Sequence, residues 1–471
     1  MTWLLEQIHA HATRCPDRIA VDDGDHSLTY ATLWRQITEL SAALGDHGVG
    51  RLALTGGNCI GWLTADLAAQ HRGLTVVPVP PFFSKGQREH IFQDAALDAV
   101  YDGDTGILSA TGAPPGEAWG DVSKITFTSG STGQPKGVCL SSDHLDRTVR
   151  ALANALAPHA GDRHLCVLPL ATLLENVAGI YVPLSLGACV LLPALDTLGF
   201  GGSSQLNPGT FYTSLQQWRP QSLILVPELL RVLTMLASRG LPMPDSFRFI
   251  AVGGGKVDPA LLLQARELGL PVYEGYGLSE CGSVVALNLP GADRPGSVGR
   301  PLEHARISID GNGEIQVSGA VMTGYLHQPV GDHWATGDLG HYDQDGFLYV
   351  NGRRKNLLIT TFGRNVNPEW VESAFQRCDS IRSLVVQGDG EPHLTAVIVP
   401  MPHAELSHLK QQIADINPSL PDYARIGTFI IADAPFSPEN GLATTNGRPR
   451  RDAILQRYPT RLATPVDASL A

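Results

Sequence analysis

One ten-residue stretch, TSGSTGQPKG (Thr128–Gly137), concentrates groups able to do chemistry. Three glycines, two serines, two threonines and one lysine cannot pack a core. Small residues let backbone N–H groups approach a ligand closely, hydroxyls add donors, and Lys136 adds positive charge. The ligand class this implies is a phosphate chain. The stretch is not a Walker A loop. Read from Gly130, Pro135 stands where the second glycine belongs, and Gly137 follows Lys136 where a hydroxyl is needed. The dinucleotide pattern GxGxxG fails here too, and Gly253, Gly254 and Gly255 do not complete it.

The elements that must position this loop form an alternating series between about residues 50 and 276. Strands are expected at Leu52–Thr55, Thr75–Val79, Ala99–Tyr101, Ile125–Thr128, His164–Leu168, Cys189–Leu192, Ser222–Val226, Phe249–Val252 and Val272–Tyr276. Helices are expected at Trp62–His71, Gly86–Asp94, Ser142–Leu156, Glu175–Leu186, Glu228–Ser238 and Pro259–Leu268. Such alternation predicts an α/β fold with parallel-sheet layers. The helical pattern stops near Gly296, and short strands between turns predict a β-rich subdomain over about 296–350. Beyond it the pattern is α+β. A helix is expected near Pro368–Arg377, strands near Ser383–Gln387 and Leu394–Pro400, and a helix near His403–Ile416. GGSSQLNPG (201–209) and PENGLATTNGRP (438–449) predict mobile loops.

Composition narrows the partners. A chain of 471 residues, 43% hydrophobic and 17% charged, can bury a sizeable core. The net charge of -12 argues against nucleic acid or an anionic membrane as main partner. The sequence has no apolar run long enough for a transmembrane segment and no signal-peptide pattern, so a cytoplasmic location is expected. The seven cysteines are scattered, odd in number and never spaced as CxxC, which predicts reduced thiols and neither disulfides nor zinc. The sixteen histidines are equally dispersed, and His9 and His11 point apart on a helix, which argues against a histidine metal site.

Four segments in order, ITFTSGSTGQPKGV, YEGYGLSE, ATGDLG and NGRRKNLLITTFGRNVNPEWVE, resemble the motifs of adenylate-forming enzymes: acyl-CoA synthetases, luciferases and peptide-synthetase adenylation domains. ATRCPDRIAV and SLTYATL resemble that family's opening and TTNGRPRRDAI its end, so the likeness covers nearly the whole chain. The resemblance implies a large AMP-binding domain over residues 1–353 and a small mobile C-terminal domain over 354–471, with a hinge near Lys355. It also implies two half-reactions. A carboxylate attacks the α-phosphate of ATP to give acyl-AMP and pyrophosphate, and a thiol then displaces AMP. The C-terminal domain swings between the two steps, and FGRN (362–365) faces the site in the second.

By the same resemblance, Thr128, Ser129, Gly130, Ser131, Thr132, Gly133 and Lys136 close over the phosphates of ATP and stabilise the departing pyrophosphate. Tyr276 stacks on adenine, with Gly277 beside it, and Ser279, standing where threonine is usual, donates to the α-phosphate. Glu280 is the Mg2+ ligand, a hard oxygen donor. Asp338 accepts from the ribose hydroxyls, Arg353 contacts ribose and phosphate, and Gly253–Gly255 line the adenine and acyl pocket. Arg448 occupies the place of a lysine that bridges carboxylate and α-phosphate.

For the acid, Thr172, Glu175 and Asn176 after LPL are the expected acyl-pocket residues; the Glu-Asn pair and FGRNVNPEWVE resemble long-chain acyl-CoA synthetases. A medium- or long-chain fatty acid with CoA as acceptor is therefore expected, so that the cofactor and co-substrate set is ATP, Mg2+ and CoA. An aryl acid, transfer to an acyl carrier protein or an amine, and a non-catalytic nucleotide-binding protein remain alternatives.

Overall fold

The computed structural model describes residues 2–114, 116–129, 135–157, 161, 163–201, 205–361, 364–402, 404–444 and 447–466. The β-branched runs assemble into two large sheets, giving the α/β layout expected from the alternation. One sheet has nine strands in the order Arg300–Pro301, Ser283–Leu287, Val272–Leu278, Phe249–Val252, Ser222–Leu225, Arg163–Leu165, Cys189–Leu191, Ile19–Asp22 and Ser27–Thr29. Its centre is parallel. The other has eight strands in the order Gln328–Pro329, Gly324–Tyr325, Pro135–Ser141, Val122–Ser129, Thr75–Pro78, Arg51–Thr55, Ala99–Asp102 and Ile107–Ala110.

Helices fill the space between the sheets. Ser142–Leu156 is capped by Ser141, whose hydroxyl accepts from the His144 N–H at 3.2 Å. Its apolar stripe of Leu145, Val149, Leu152 and Leu156 follows the helical period and is buried. One hydrophobic cluster contains this stripe together with Leu52, Leu54 and Val76 of one sheet and Val21 and Val190 of the other. That shared core fixes how the two sheets face each other.

Several elements differ from expectation. Helices Trp3–Arg14 and Tyr30–Asp46, N-capped by Thr2 and Thr29, add to the core from the opening segment. The helix expected at Glu175–Leu186 is a π-helix over Glu175–Tyr181 followed by a short α-segment, Val182–Ser185. Pro183 offers no N–H to the Gly179 carbonyl four residues back. Within the predicted loop 201–209, Asn207 caps a helix at Pro208–Trp218, its side chain accepting from Gly209 and Thr210. Asparagine at the cap followed by proline starts a helix as well as it marks a loop.

The segment after the nine-stranded sheet is an antiparallel four-stranded sheet: Arg306–Ile309, Glu314–Ser318, His333–Tyr342 and Leu348–Arg353. A separate sheet follows, ordered Ile381–Gln387, Leu394–Pro400, Ile426–Ile431 and Thr464–Pro465, with helices Pro368–Ala374, Leu406–Ile416 and Arg451–Arg457. Its two hydrophobic clusters draw only on residues from Leu358 onward. All seven cysteines are free thiols. No described helix is long and apolar enough to cross a membrane.

Candidate active site

The phosphate-loop candidate is the tip of a β-hairpin. Strand Val122–Ser129 returns antiparallel as Pro135–Ser141, and the register sets Thr128 opposite Lys136 and Ser129 opposite Pro135. Gly130, Ser131, Thr132 and Gly133 lie outside the described residues. The exposed Lys136 places its Nζ 5.4 Å from the centre of the Tyr325 ring. Tyr325 belongs to a two-residue strand pairing with the return strand, opposite Val138. Its hydroxyl donates to Glu280 Oε1 at 2.9 Å. Burial and the nearby Glu280 charge hold that hydroxyl well above its ordinary range, so it stays a donor.

Glu280 sits on a 3-10 turn, Ser279–Cys281, that ends at Gly282 in the left-handed region with φ 72°. Gly277 just before it is required by space, because a Cβ there would lie 1.9 Å from the Ser283 carbonyl oxygen. Glu280 is half-buried, as are Ser279 and Tyr276. A half-buried carboxylate beside an exposed ammonium fits a hard divalent ion that takes its remaining ligands from phosphates and water.

A second group lies alongside. Tyr276 donates its hydroxyl to Asp338 Oδ2 at 2.6 Å, and Arg353 Nε meets Asp338 Oδ1 at 2.7 Å. Strand pairing puts Asp338 directly opposite Arg353. Burial pushes the Asp338 carboxyl up, while the Arg353 guanidinium and the Tyr276 hydroxyl pull it down. Glu314 fixes the turn before it: one oxygen accepts from the Gly337 N–H at 2.8 Å, the other from Arg354 at 2.7 Å. Each Asp338 oxygen already takes one protein donor, so a sugar would share this carboxylate with Tyr276 and Arg353.

Gly253, Gly254 and Gly255 follow strand Phe249–Val252. Gly254 has φ +78°, which only glycine adopts readily, and its carbonyl accepts from Arg448 Nη2 at 2.5 Å. Arg448 is solvent-accessible, yet its guanidinium lies among enough protein that crowding lowers its pKa, with Glu228 acting the other way. Arg353 acts electrostatically on Tyr325, Asp338 and Arg448 alike, which makes these groups one cluster. The structure thus brings together Lys136, Glu280, Tyr276, Asp338, Arg353, Gly254 and Arg448. Lys355 is exposed on the 3-10 turn Arg354–Asn356, and Phe362 and Gly363 lie outside the described residues.

Four participants carried no local sequence signal. Tyr325 and Glu314 reach the site only through sheet pairing. Gln376 and Arg377 join the C-terminal region to the loop after Gly255. Gln376 accepts from the Asp258 N–H at 3.0 Å and donates to the Lys256 carbonyl at 2.8 Å. Arg377 Nε donates to Asp258 Oδ2 at 2.8 Å.

The expected acyl-pocket residues require correction. Glu175 and Asn176 are 0% and 1% exposed and point into the core, so they do not line an open pocket. Asn176 donates to Asp66 Oδ2 at 2.9 Å and accepts from Lys124, while Glu175 stands beside His164. The wide π-helical turn swings both inward. Thr172 is half-buried and spends its hydroxyl on the Pro169 carbonyl at 2.7 Å.

Comparison with known proteins agrees with this layout. The family described as AMP-binding enzyme matches residues 8–114 and 102–326, and that described as AMP-binding enzyme C-terminal domain matches residues 355–464. A 2-succinylbenzoate–CoA ligase of Bacillus licheniformis is 27% identical over 88% of this chain and 93% of its own length. The long-chain-fatty-acid–CoA ligase FadD15 of Mycobacterium bovis is 28% identical, over 60% of this chain and 55% of its own. The solved structure of the anthranilate CoA ligase AuaEII with anthranoyl-AMP superposes with a TM-score of 0.82 at 17% identity, covering 96% of both chains. At that identity the likeness speaks to the fold.

Proposed function

The chain belongs to the AMP-binding enzyme family and is an acid–thiol ligase working through an acyl-adenylate, and from that premise we propose that it activates an aromatic carboxylic acid and transfers the acyl group to CoA. The observation that carries the reading is Arg448, which reaches from the C-terminal region to the Gly254 carbonyl beside the Tyr276–Asp338–Arg353 group. From there the guanidinium would offer its remaining donors to a carboxylate and an α-phosphate, and this supports the reading. Lys136 would face the leaving pyrophosphate, and Glu280 would hold Mg2+, which supplies charge neutralisation on the phosphates. Tyr276, Asp338 and Arg353 would take the nucleoside.

The earlier expectation of a fatty acid gives way to an aryl acid. Relatives named 2-succinylbenzoate–CoA ligase align over most of the chain, whereas the fatty-acid ligase aligns over a shorter part. The buried positions of Glu175 and Asn176 also remove the residues on which the fatty-acid reading leaned. An acyl carrier protein as acceptor has no comparable support. The alternating pose, with a hinge at Lys355 and a boundary at residues 353–354, belongs to this proposal.

The test is pyrophosphate release and thioester formation across 2-succinylbenzoate, anthranilate, other benzoates and long-chain fatty acids, with and without CoA. We expect turnover with an aromatic acid and CoA. Preference for a fatty acid, or transfer only to an amine or carrier protein, would replace this reading. Arg448→Ala should lower acyl-AMP formation by roughly one to three orders of magnitude, the range for losing one transition-state donor. Thioester formation from supplied acyl-AMP should persist.

A further inference from the structure

Three unlike donors meet in the core, away from the cluster around Glu280. His164 and Cys166 are two residues apart in an extended segment and so share a face, and Glu175 opens the π-helix packed on it. One ligand atom from each, an imidazole nitrogen, the sulfur and a carboxylate oxygen, all lie within 4.8 Å of one another. All three side chains are buried: 4% exposed for His164 and 0% for Cys166 and Glu175.

The polar atoms there are unsatisfied. His164 Nδ1 is taken by the Ser222 hydroxyl at 3.0 Å, which aims Nε2 at the carboxylate. Neither Nε2 nor either Glu175 oxygen has a partner at full hydrogen-bond geometry, although His164, the Cys166 thiol and the Val167 N–H stand close enough to the carboxylate to act on it. Such atoms are rare in folded cores and call for something to complete them. The Nε2–Oε1 separation is 3.7 Å, too long for a hydrogen bond. It is slightly longer than the roughly 3.3–3.5 Å expected between a nitrogen and an oxygen on one tetrahedral zinc with bonds of about 2.0–2.2 Å, a gap that a small side-chain movement closes. A side chain at Gly179 would put its Cβ 2.9 Å from both Oε1 and Nε2, so the glycine lets the trio close up.

We propose that His164, Cys166 and Glu175 are the protein ligands of a buried divalent-cation site that takes zinc. The donor set favours that ion, since a thiolate and an imidazole select zinc over magnesium. One thiolate and one carboxylate also balance its charge, which a dry core requires. Ser222 acts as the outer partner that fixes the histidine tautomer. The carbonyl oxygen of Gly179, 3.8 Å from the Cys166 sulfur, borders the same space. The ion pins strand Arg163–Leu165 to the π-helix, whose Asn176 and Tyr181 hold Lys124 beneath the phosphate hairpin. This site is structural and separate from the Mg2+ position at Glu280. Sequence spacing argued against a cysteine–histidine zinc site; ligands on two elements, with a carboxylate as third, escape that rule.

The full-length chain, purified without an affinity tag or chelator, should carry about one zinc per chain by elemental analysis. Cobalt exchanged into the wild-type chain should give tetrahedral ligand-field bands and a thiolate-to-cobalt charge-transfer band. Cys166→Ser should lose the charge-transfer band, and His164→Gln should lose zinc. The cobalt spectrum on wild type needs no variant, so a variant that fails to fold leaves the test intact. Wild type that neither carries zinc nor takes up cobalt overturns the proposal. So does zinc retained in both variants, or cobalt bound without a thiolate signal, which would mean an adventitious ion only.

Discussion

The half-buried Glu280 side chain accepts one hydrogen bond among the described residues, from Tyr325. Glu280→Ala should therefore leave the melting temperature nearly unchanged while removing most magnesium-dependent pyrophosphate release; a large loss of stability with activity retained would make Glu280 structural. Tyr325→Phe keeps the carboxylate and removes its donor. A hydrogen bond to a charged group is worth about 1.5–3 kcal/mol, so adenylation should fall roughly tenfold to a hundredfold. Glu274 is a different case. It is 2% exposed, one of its oxygens has no partner, and burial raises its carboxyl from 4.5 to about 7, with Lys256 pulling the other way. Between those values the folded chain keeps a proton that the unfolded chain has lost, so stability is present at low pH and is lost as pH rises through about 7. Buried His144 and His304, both pushed down from 6.5 to about 4, tilt the curve oppositely over much of the same range. Denaturant titrations of wild type and Glu274→Gln isolate the glutamate. The variant should gain roughly 2–3 kcal/mol over wild type at pH 8, an advantage that shrinks toward pH 5. An equal pH slope in both proteins would refute this.

The first strand of the hairpin at Val122–Ser129 and Pro135–Ser141 is anchored by an ion pair at 0% and 1% exposure. Lys124 Nζ donates to Asp66 Oδ1 at 2.9 Å and to the Tyr181 hydroxyl at 2.6 Å, and Tyr181 donates to Asp66 Oδ2 at 2.5 Å. The network ties strand Val122–Ser129 to helix Ile60–Arg72 and to the π-helix. Every member is paired, so its effect is orientation more than net stability. Lys124→Met strands the Asp66 charge in the core and should cost about 3–5 kcal/mol in urea unfolding. Combining it with Asp66→Leu should cost much less than the sum of the single changes. Additive costs would mean that the two side chains do not act as a pair.

Across the whole molecule, the C-terminal region meets the glycine loop and the segment after it through Arg448 to Gly254, Gln376 to Lys256 and Asp258, and Arg377 to Asp258. If the pose shown is the adenylating one, loosening it shifts the population toward the alternative. Arg377→Ala should then slow pyrophosphate release severalfold, while thioester formation from supplied acyl-AMP stays equal or becomes faster. Equal slowing of both half-reactions would place Arg377 in general stability.

The parallel strands and the capped helix Ser142–Leu156 were legible because each depends on local periodicity, and the family was legible because its motifs are short stretches of fixed spacing. The sequence by itself therefore determined the α/β layers and the adenylate-forming chemistry. Tertiary structure alone decided the rest. Tyr325 joins Glu280 through strand pairing, Gln376 and Arg377 meet Asp258 from over a hundred residues away, and His164, Cys166 and Glu175 converge from two elements. It also buried Glu175 and Asn176 in the core, since a π-helical turn changes which way side chains face without changing residue types. Local patterns report what the chain does within a few residues; contacts across sheets and between domains depend on register and packing, which no short window of sequence contains.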